Sequence, residues 1–114
     1  MRQYEYLEKY YHCVYAVAEI YEYSSKFMDS TPYNDMNLKE AQALVWYSLH
    51  NILNIPLHYS VTILNTTYKT LSTYITFAES LNNKLFKRHI SLMYKELENE
   101  HRALYRKYQH DKNR

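Results

Sequence analysis

Apolar residues recur along this chain at three- and four-residue intervals, the period of amphipathic helices. Tyr4, Leu7, Tyr11, Val14, Ala18, Tyr21, Ser25 and Met28 follow that spacing and predict a first helix over about 3–29 with a partly aromatic inner face. The cluster "DSTPYND" at 29–35, with Pro32, predicts a turn. Asn37 followed by Glu40 suggests an N-cap with its N3 partner, so a second helix is expected over about 38–54, facing inward with Leu38, Ala41, Val45, Leu49 and Ile52. Pro56 ends or kinks it, since proline lacks the N–H and clashes with the preceding turn. Leu57, Val61, Leu64, Tyr68, Leu71, Ile75 and Ala78 carry the strictest heptad spacing and predict a third helix over about 57–81. Threonine, valine and tyrosine there also favour strands, but no Gly or Pro interrupts the run and the helical spacing persists. "LNN" at 81–83 supplies a break and a cap. A fourth helix over about 84–109 turns Phe86, Ile90, Met93, Leu97, Leu104 and Tyr108 inward, with a frayed tail over 110–114.

The expectation is therefore one all-α domain of 114 residues, an antiparallel four-helix bundle, dimeric if Pro56 only kinks one long rod. Glycine is absent while tyrosine numbers 15. Without glycine, phosphate-cradling loops of the Walker and Rossmann types are excluded and left-handed turns are disfavoured. The single Cys13 permits no internal disulfide, no secretory leader is evident in "MRQYEYLEKYYH", and no apolar run could span a bilayer. A soluble, cytoplasmic protein is expected.

Candidate chemistry is thin. Glu98 and His101 have the E-x-x-H spacing of di-iron bundles, but there is no second such pair, so no metal and no cofactor are expected. His50 and His58 straddle Pro56 and could approach across a turn; half-buried packing or capping is the commoner role. The Arg-x4–6-His motif of helical HEPN-type ribonucleases does not match, because Arg102 lies eight residues and Arg106 four before His110. Cys13 has no activating neighbour in sequence and reads as packing. Non-enzymatic function is expected.

Surface character is more telling. With the heptad positions of 57–81 turned inward, the opposite face collects six uncharged residues, Tyr59, Thr62, Thr66, Thr70, Thr73 and Phe77, with Lys69 its one charge. A solvated helix would use Glu, Lys or Arg there. Interfaces deplete Lys and Glu and enrich aromatics, so these six residues are the expected partner-binding face. The competing account makes this helix central, covered by its own neighbours. Tyr6, Tyr10, Tyr15 and Tyr23 extend the same reasoning to a second surface on the first helix.

Charge adds an alternative. Residues 1–60 hold seven acids and four bases, and residues 61–114 five acids and ten bases. Lys84, Lys87, Arg88, Arg102, Arg106 and Lys107, interleaved with tyrosines, could bind nucleic acid. Glu96, Glu98 and Glu100 interrupt that run and favour ordinary i, i+4 pairing.

In composition, through stretches such as "YEYLEKYYHCVYAVAEIYEY" and "TTYKTLSTYITF", the chain is similar to small all-helical proteins of hyperthermophilic archaeal viruses. The resemblance implies a role in the host cytoplasm. The chain would inhibit or adapt a host protein complex, self-associate, or serve as a virion structural protein. It assigns no functional residue. The expected partner is a protein or a second copy, with nucleic acid less favoured and no membrane.

Overall fold

The computed structural model describes the backbone of residues 1–112 and the side chains of residues 1–98. Their secondary structure is helical, with no strand among the described residues. The helices are α1 (Gln3–Tyr21), α2 (Met36–Tyr47), α3 (Leu57–Ile63), α4 (Tyr68–Ser80) and α5 (Lys84–Lys112). A single 3-10 turn, Phe27–Asp29, lies in the loop after α1, and α2 continues as a π turn over Ser48–Ile52.

Three of the boundaries that differ from the sequence expectation do so for a clear local reason. α1 stops at Tyr21 instead of running to 29. Glu22 takes the left-handed conformation with φ 58°, and Tyr23 N–H reaches back to the Ala18 carbonyl at 2.8 Å. That closes the helix as a glycine would. The absence of glycine did not remove left-handed turns: Glu22, Asn54 and Asn65 fill them. Two are asparagines, which tolerate this region through local hydrogen bonding. α2 starts two residues early, because Asp35 and not Asn37 is the cap. Its carboxylate accepts from Leu38 N–H at 3.1 Å. The expected helix over 57–81 is two helices. α3 ends at Ile63, Asn65 turns left-handed, and Thr67 caps α4 by accepting from Thr70 N–H at 3.1 Å. An Asn followed two residues later by a Thr with a free N3 donor is the break signal that heptad spacing concealed.

Pro56 sits at φ −58° and ψ 144° as the residue before α3, after the turn 53–55. It separates two helices, so the long rod does not form and the dimer argument built on that rod loses its basis. α5 continues through Lys112, past the expected end at 109. Asn83 caps its start, accepting from Phe86 N–H at 2.6 Å.

α2 is the central element. Ala41, Gln42, Ala43, Leu44, Val45 and Trp46 are all buried, right round the helix, which is the signature of a helix enclosed by neighbours. α1, α4 and the 27–29 turn pack on it. α1 and α5 run side by side and antiparallel: Tyr21 meets His89 with ring centroids 4.8 Å apart, and His12 faces Glu96 at 3.7 Å. α5 turns Phe86, Met93 and Leu97 into the core.

The inner face of α1 keeps the expected Val14 and Ala18 but is otherwise rotated from the expected stripe. Tyr6, Tyr10, Cys13 and Val17 are buried together with Val14 and Ala18, whereas Tyr4 and Tyr11 are exposed. Both stripes obey helical spacing. The structure buries the one whose phenols find polar or aromatic partners: Tyr6 bonds Ser60, and Tyr10 packs on Trp46 with centroids 5.7 Å apart. Tyr68, expected inward, is also exposed.

Candidate functional site

The six residues expected to form one partner-binding face are divided by the break at 64–67. Tyr59 and Thr62 lie on α3, Thr66 in the loop, and Thr70, Thr73 and Phe77 on α4. Thr62, Thr70 and Thr73 face solvent, while Tyr59, Thr66 and Phe77 are half-buried. Local work explains several of them. Thr70 Oγ1 accepts from the capping Thr67 hydroxyl at 2.9 Å, and the Thr73 hydroxyl donates to the Lys69 carbonyl at 2.7 Å. The Phe77 ring lies under the Lys39 ammonium at 4.3 Å, and Tyr59 stacks on Tyr6. Capping accounts for Thr70, a bond to the preceding turn for Thr73, and contacts with α2 and α1 for Phe77 and Tyr59.

An exposed aromatic face lies on α1, made of Tyr11, which the sequence spacing turned inward, and Tyr15, which it put on a second surface of the first helix. Tyr11 and Tyr15 are 47% and 58% exposed and stack on each other with centroids 6.2 Å apart. They rim an open groove of about 470 Å³. Its floor is Tyr10, Val14, Trp46 and Leu64; Ser25, Lys26, Met28, Asp29 and Thr66 complete it. Large planar side chains with polar tips, partly open to water, are what protein interfaces enrich.

A buried glutamine holds one wall of that groove. Gln42 Nε2 donates to the Phe27 carbonyl at 3.0 Å and to the Ser30 carbonyl at 2.7 Å, while its Oε1 accepts from the Tyr74 hydroxyl at 2.9 Å. The loop carrying Met28 and Asp29 is thereby tied to α2, and α2 to α4. Sequence reading gave Gln42 no role, because its partners lie 12 to 32 residues away.

Beneath Trp46 lies a second polar group. His50 stacks on Trp46 with centroids 6.2 Å apart. Its Nδ1 is 2.7 Å from the Ile55 carbonyl and its Nε2 is 2.8 Å from Ser60 Oγ. A carbonyl only accepts, so Nδ1 carries the proton and Nε2 accepts from Ser60. The Ser60 hydroxyl oxygen then accepts from the Tyr6 phenol. The order of donation is fixed along the whole run: Tyr6 to Ser60, Ser60 to His50, His50 to Ile55. Burial lowers the His50 imidazole below its ordinary value, and burial raises the Tyr6 phenol despite the Ser60 hydrogen bond. The pairing of a serine hydroxyl with a neutral histidine is that of an activated nucleophile, but Ser60 and Tyr6 are 0% exposed. A groove of about 390 Å³ passes His50 beside Asn54 and Pro56, yet both of its ring nitrogens are engaged. The relay joins α1, the end of α2 and α3 across the Pro56 turn. His50 and His58 do not meet: His58 is exposed and packs on Tyr59 with centroids 4.4 Å apart.

Cys13 is buried, and burial pushes its thiol up to about 12, the range of an inert packing group. Among the described residues no group of three or more His, Cys, Asp or Glu could hold a metal ion. Glu98 is exposed, and the side chain of His101 lies outside the described residues. Of the basic candidates, Lys84, Lys87 and Arg88 are exposed on α5, while the side chains of Arg102, Arg106 and Lys107 lie outside the described residues. Among the described residues no helix is long and apolar enough to cross a membrane.

No family model, no curated protein and no solved structure matches this chain.

Proposed function

We propose that this chain is a non-enzymatic interaction protein that works by covering the exposed aromatic edge of α1 and its groove with protein. The observation that carries the reading is the stacked, half-exposed Tyr11–Tyr15 pair at the mouth of a groove floored by Tyr10 and Trp46. Rigid tyrosines supply contact area at low entropic cost, and the hydroxyls keep the free surface wettable. The compositional likeness to small viral proteins extends the reading to an adaptor or inhibitor of a host complex.

A photo-reactive phenylalanine analogue at position 15 tests it, with the same probe at Tyr33, which is 90% exposed and not part of the groove's lining, as control. A discrete protein adduct from position 15, absent from position 33 and suppressed by Tyr11→Ser, is the expected result. Adducts of equal yield from both positions, or none from position 15, would remove the reading.

The basic side of α5 supports a second reading, nucleic-acid binding, because Lys84, Arg88 and Lys95 are all exposed. Binding to a mixed-sequence DNA or RNA duplex should then weaken steeply with salt, by close to one power of salt concentration per phosphate neutralised. No binding at about 50 mM salt, where such contacts are strongest, eliminates it.

A further inference from the structure

α1 and α5 together form an outer layer with two charged ridges. At 100° per residue, the outward side of α1 carries Tyr4, Glu8, Tyr11, Tyr15 and Glu19, all exposed and without a base among them, and the exposed Glu22 follows as the left-handed cap. The outward side of α5 carries Lys84, Arg88, Ser91 and Lys95, all exposed, with the exposed acid Glu98 following at the same spacing. Between the ridges runs a shallow groove of about 220 Å³ lined by Ala16, Ile20 and Leu92, with Glu19 and Glu96 at its edges. Leu92 is 43% exposed.

Both ridges set charge against the local helix dipole. The C-terminal end of a helix favours cations and the N-terminal end anions. The last turn of α1 has no base and carries Glu19, with Glu22 as its cap. The first turn of α5 has no acid and carries Lys84 and Lys87, followed by Arg88. Among the described residues, neither Glu19 nor Glu22 forms an ion pair with these bases; the cross-helix pair is His12 with Glu96. The chain alone therefore leaves two complementary sets of charges, both unfavourably placed, side by side and unpaired.

We infer that a second copy of this chain covers the α1–α5 layer, its acidic–aromatic ridge lying on the basic ridge of the first copy and its basic ridge on the acidic one. A two-fold axis running along the helices, over the groove, achieves both contacts at once and closes the assembly as a dimer. The register follows from the contacts within one chain. Tyr21 is level with His89 and His12 with Glu96. Glu22 of one copy then comes opposite Arg88 of the other, Glu19 falls between Arg88 and Lys95, and Tyr15 falls near Lys95, where ring and ammonium attract. The apolar strip of Ala16, Ile20 and Leu92 meets itself. Nucleic acid is a poorer occupant of the layer, because Glu19, Glu22 and Glu96 border the basic ridge and repel phosphate. This inference rests on the reading that protein covers the outer side of α1.

Sedimentation equilibrium with charge reversal tests it. The wild-type chain should show about 28 kDa, twice 14.0 kDa, at 100 µM and about 50 mM salt, shifting toward 14.0 kDa as salt rises. Glu19→Lys with Glu22→Lys should raise the dimer dissociation constant at least about tenfold, and so should Arg88→Glu with Lys95→Glu, because like charges then face each other. Combining all four substitutions should restore the dimer. Circular dichroism separates this from unfolding, since all four positions are exposed and Glu19 and Glu22 oppose the dipole at the end of α1, so helicity should stay intact. A wild-type mass of 14.0 kDa at 100 µM in low salt, or a dimer indifferent to both reversals, overturns the inference. A monomer that instead binds DNA through Arg88 and Lys95 also overturns it and assigns the ridge to phosphate. If the chain is monomeric while the probe at position 15 still captures protein, the inference fails and the broader reading stands.

Discussion

Replacing Ser60 with alanine is expected to destabilise the fold by about 3 kcal/mol, because two buried groups lose their partner at once. The Tyr6 phenol would point at a methyl group, and His50 Nε2 would lose its donor. Each unsatisfied buried group costs about 1–3 kcal/mol. Tyr6→Phe removes only the first donor of the run; Ser60 still donates to His50, and the loss should be about 1 kcal/mol. The order of the two effects is the diagnostic result. Urea unfolding followed by Trp46 emission measures both, and an equal or reversed order would show that the proton order derived above is wrong.

Acid should act on the same group. The unfolded imidazole titrates near 6.5, and buried His50 titrates lower because desolvation penalises its charged form. Its contribution is fully present above about pH 6.5 and is lost as pH falls through the lower folded value. Protonation gives His50 a second N–H donor where Ser60 already donates, so the run from Tyr6 must reverse. His12 and His89 are lowered by burial as well and share the acid sensitivity. His50→Gln should therefore flatten the acid limb of the stability profile without abolishing it.

Gln42→Leu is the second substitution with a large expected effect. It orphans the Phe27 and Ser30 carbonyls and the Tyr74 hydroxyl. A loss of about 2–4 kcal/mol is expected, against a total of about 5–15 kcal/mol for a domain of this kind. The loss should be local in character. Proteolysis within 22–35 should accelerate first, since that loop is held to α2 by the two carbonyl bonds, and the groove wall formed by Met28 and Asp29 should open. Gln42→Glu is the informative control. It keeps the acceptor for Tyr74 but faces two carbonyls with a carboxylate, so it should be at least as damaging. A Gln42→Leu variant of wild-type stability, with unchanged cleavage in 22–35, would contradict the clamp.

The two charged ridges were half legible in the sequence. The excess of acids before residue 60 and of bases after it is plain in the composition. What it lacked was the knowledge that α1 and α5 lie side by side. The uncharged run at 57–81 misled for a related reason. Spacing puts Thr70 and Thr73 in an interface row on one helix; the row is broken at 64–67, Thr70 supports the Thr67 cap and Thr73 bonds the preceding turn. Heptad spacing cannot report a break when the flanking helices happen to resume in phase.

The sequence by itself determined that this chain is helical, where its loop around Pro32 lies, that Asn83 starts the last helix, and that Phe86, Met93 and Leu97 face inward. These follow from spacing and capping, which act over a few residues. Only the tertiary structure decided which tyrosines of α1 are buried, that α2 is the enclosed helix, and that Gln42, His50 and Ser60 are satisfied inside. Tyrosine is apolar along its ring and polar at its tip, so periodicity alone cannot orient a helix that carries it on two sides. Burial of a polar group depends on partners tens of residues away, and those are set by packing.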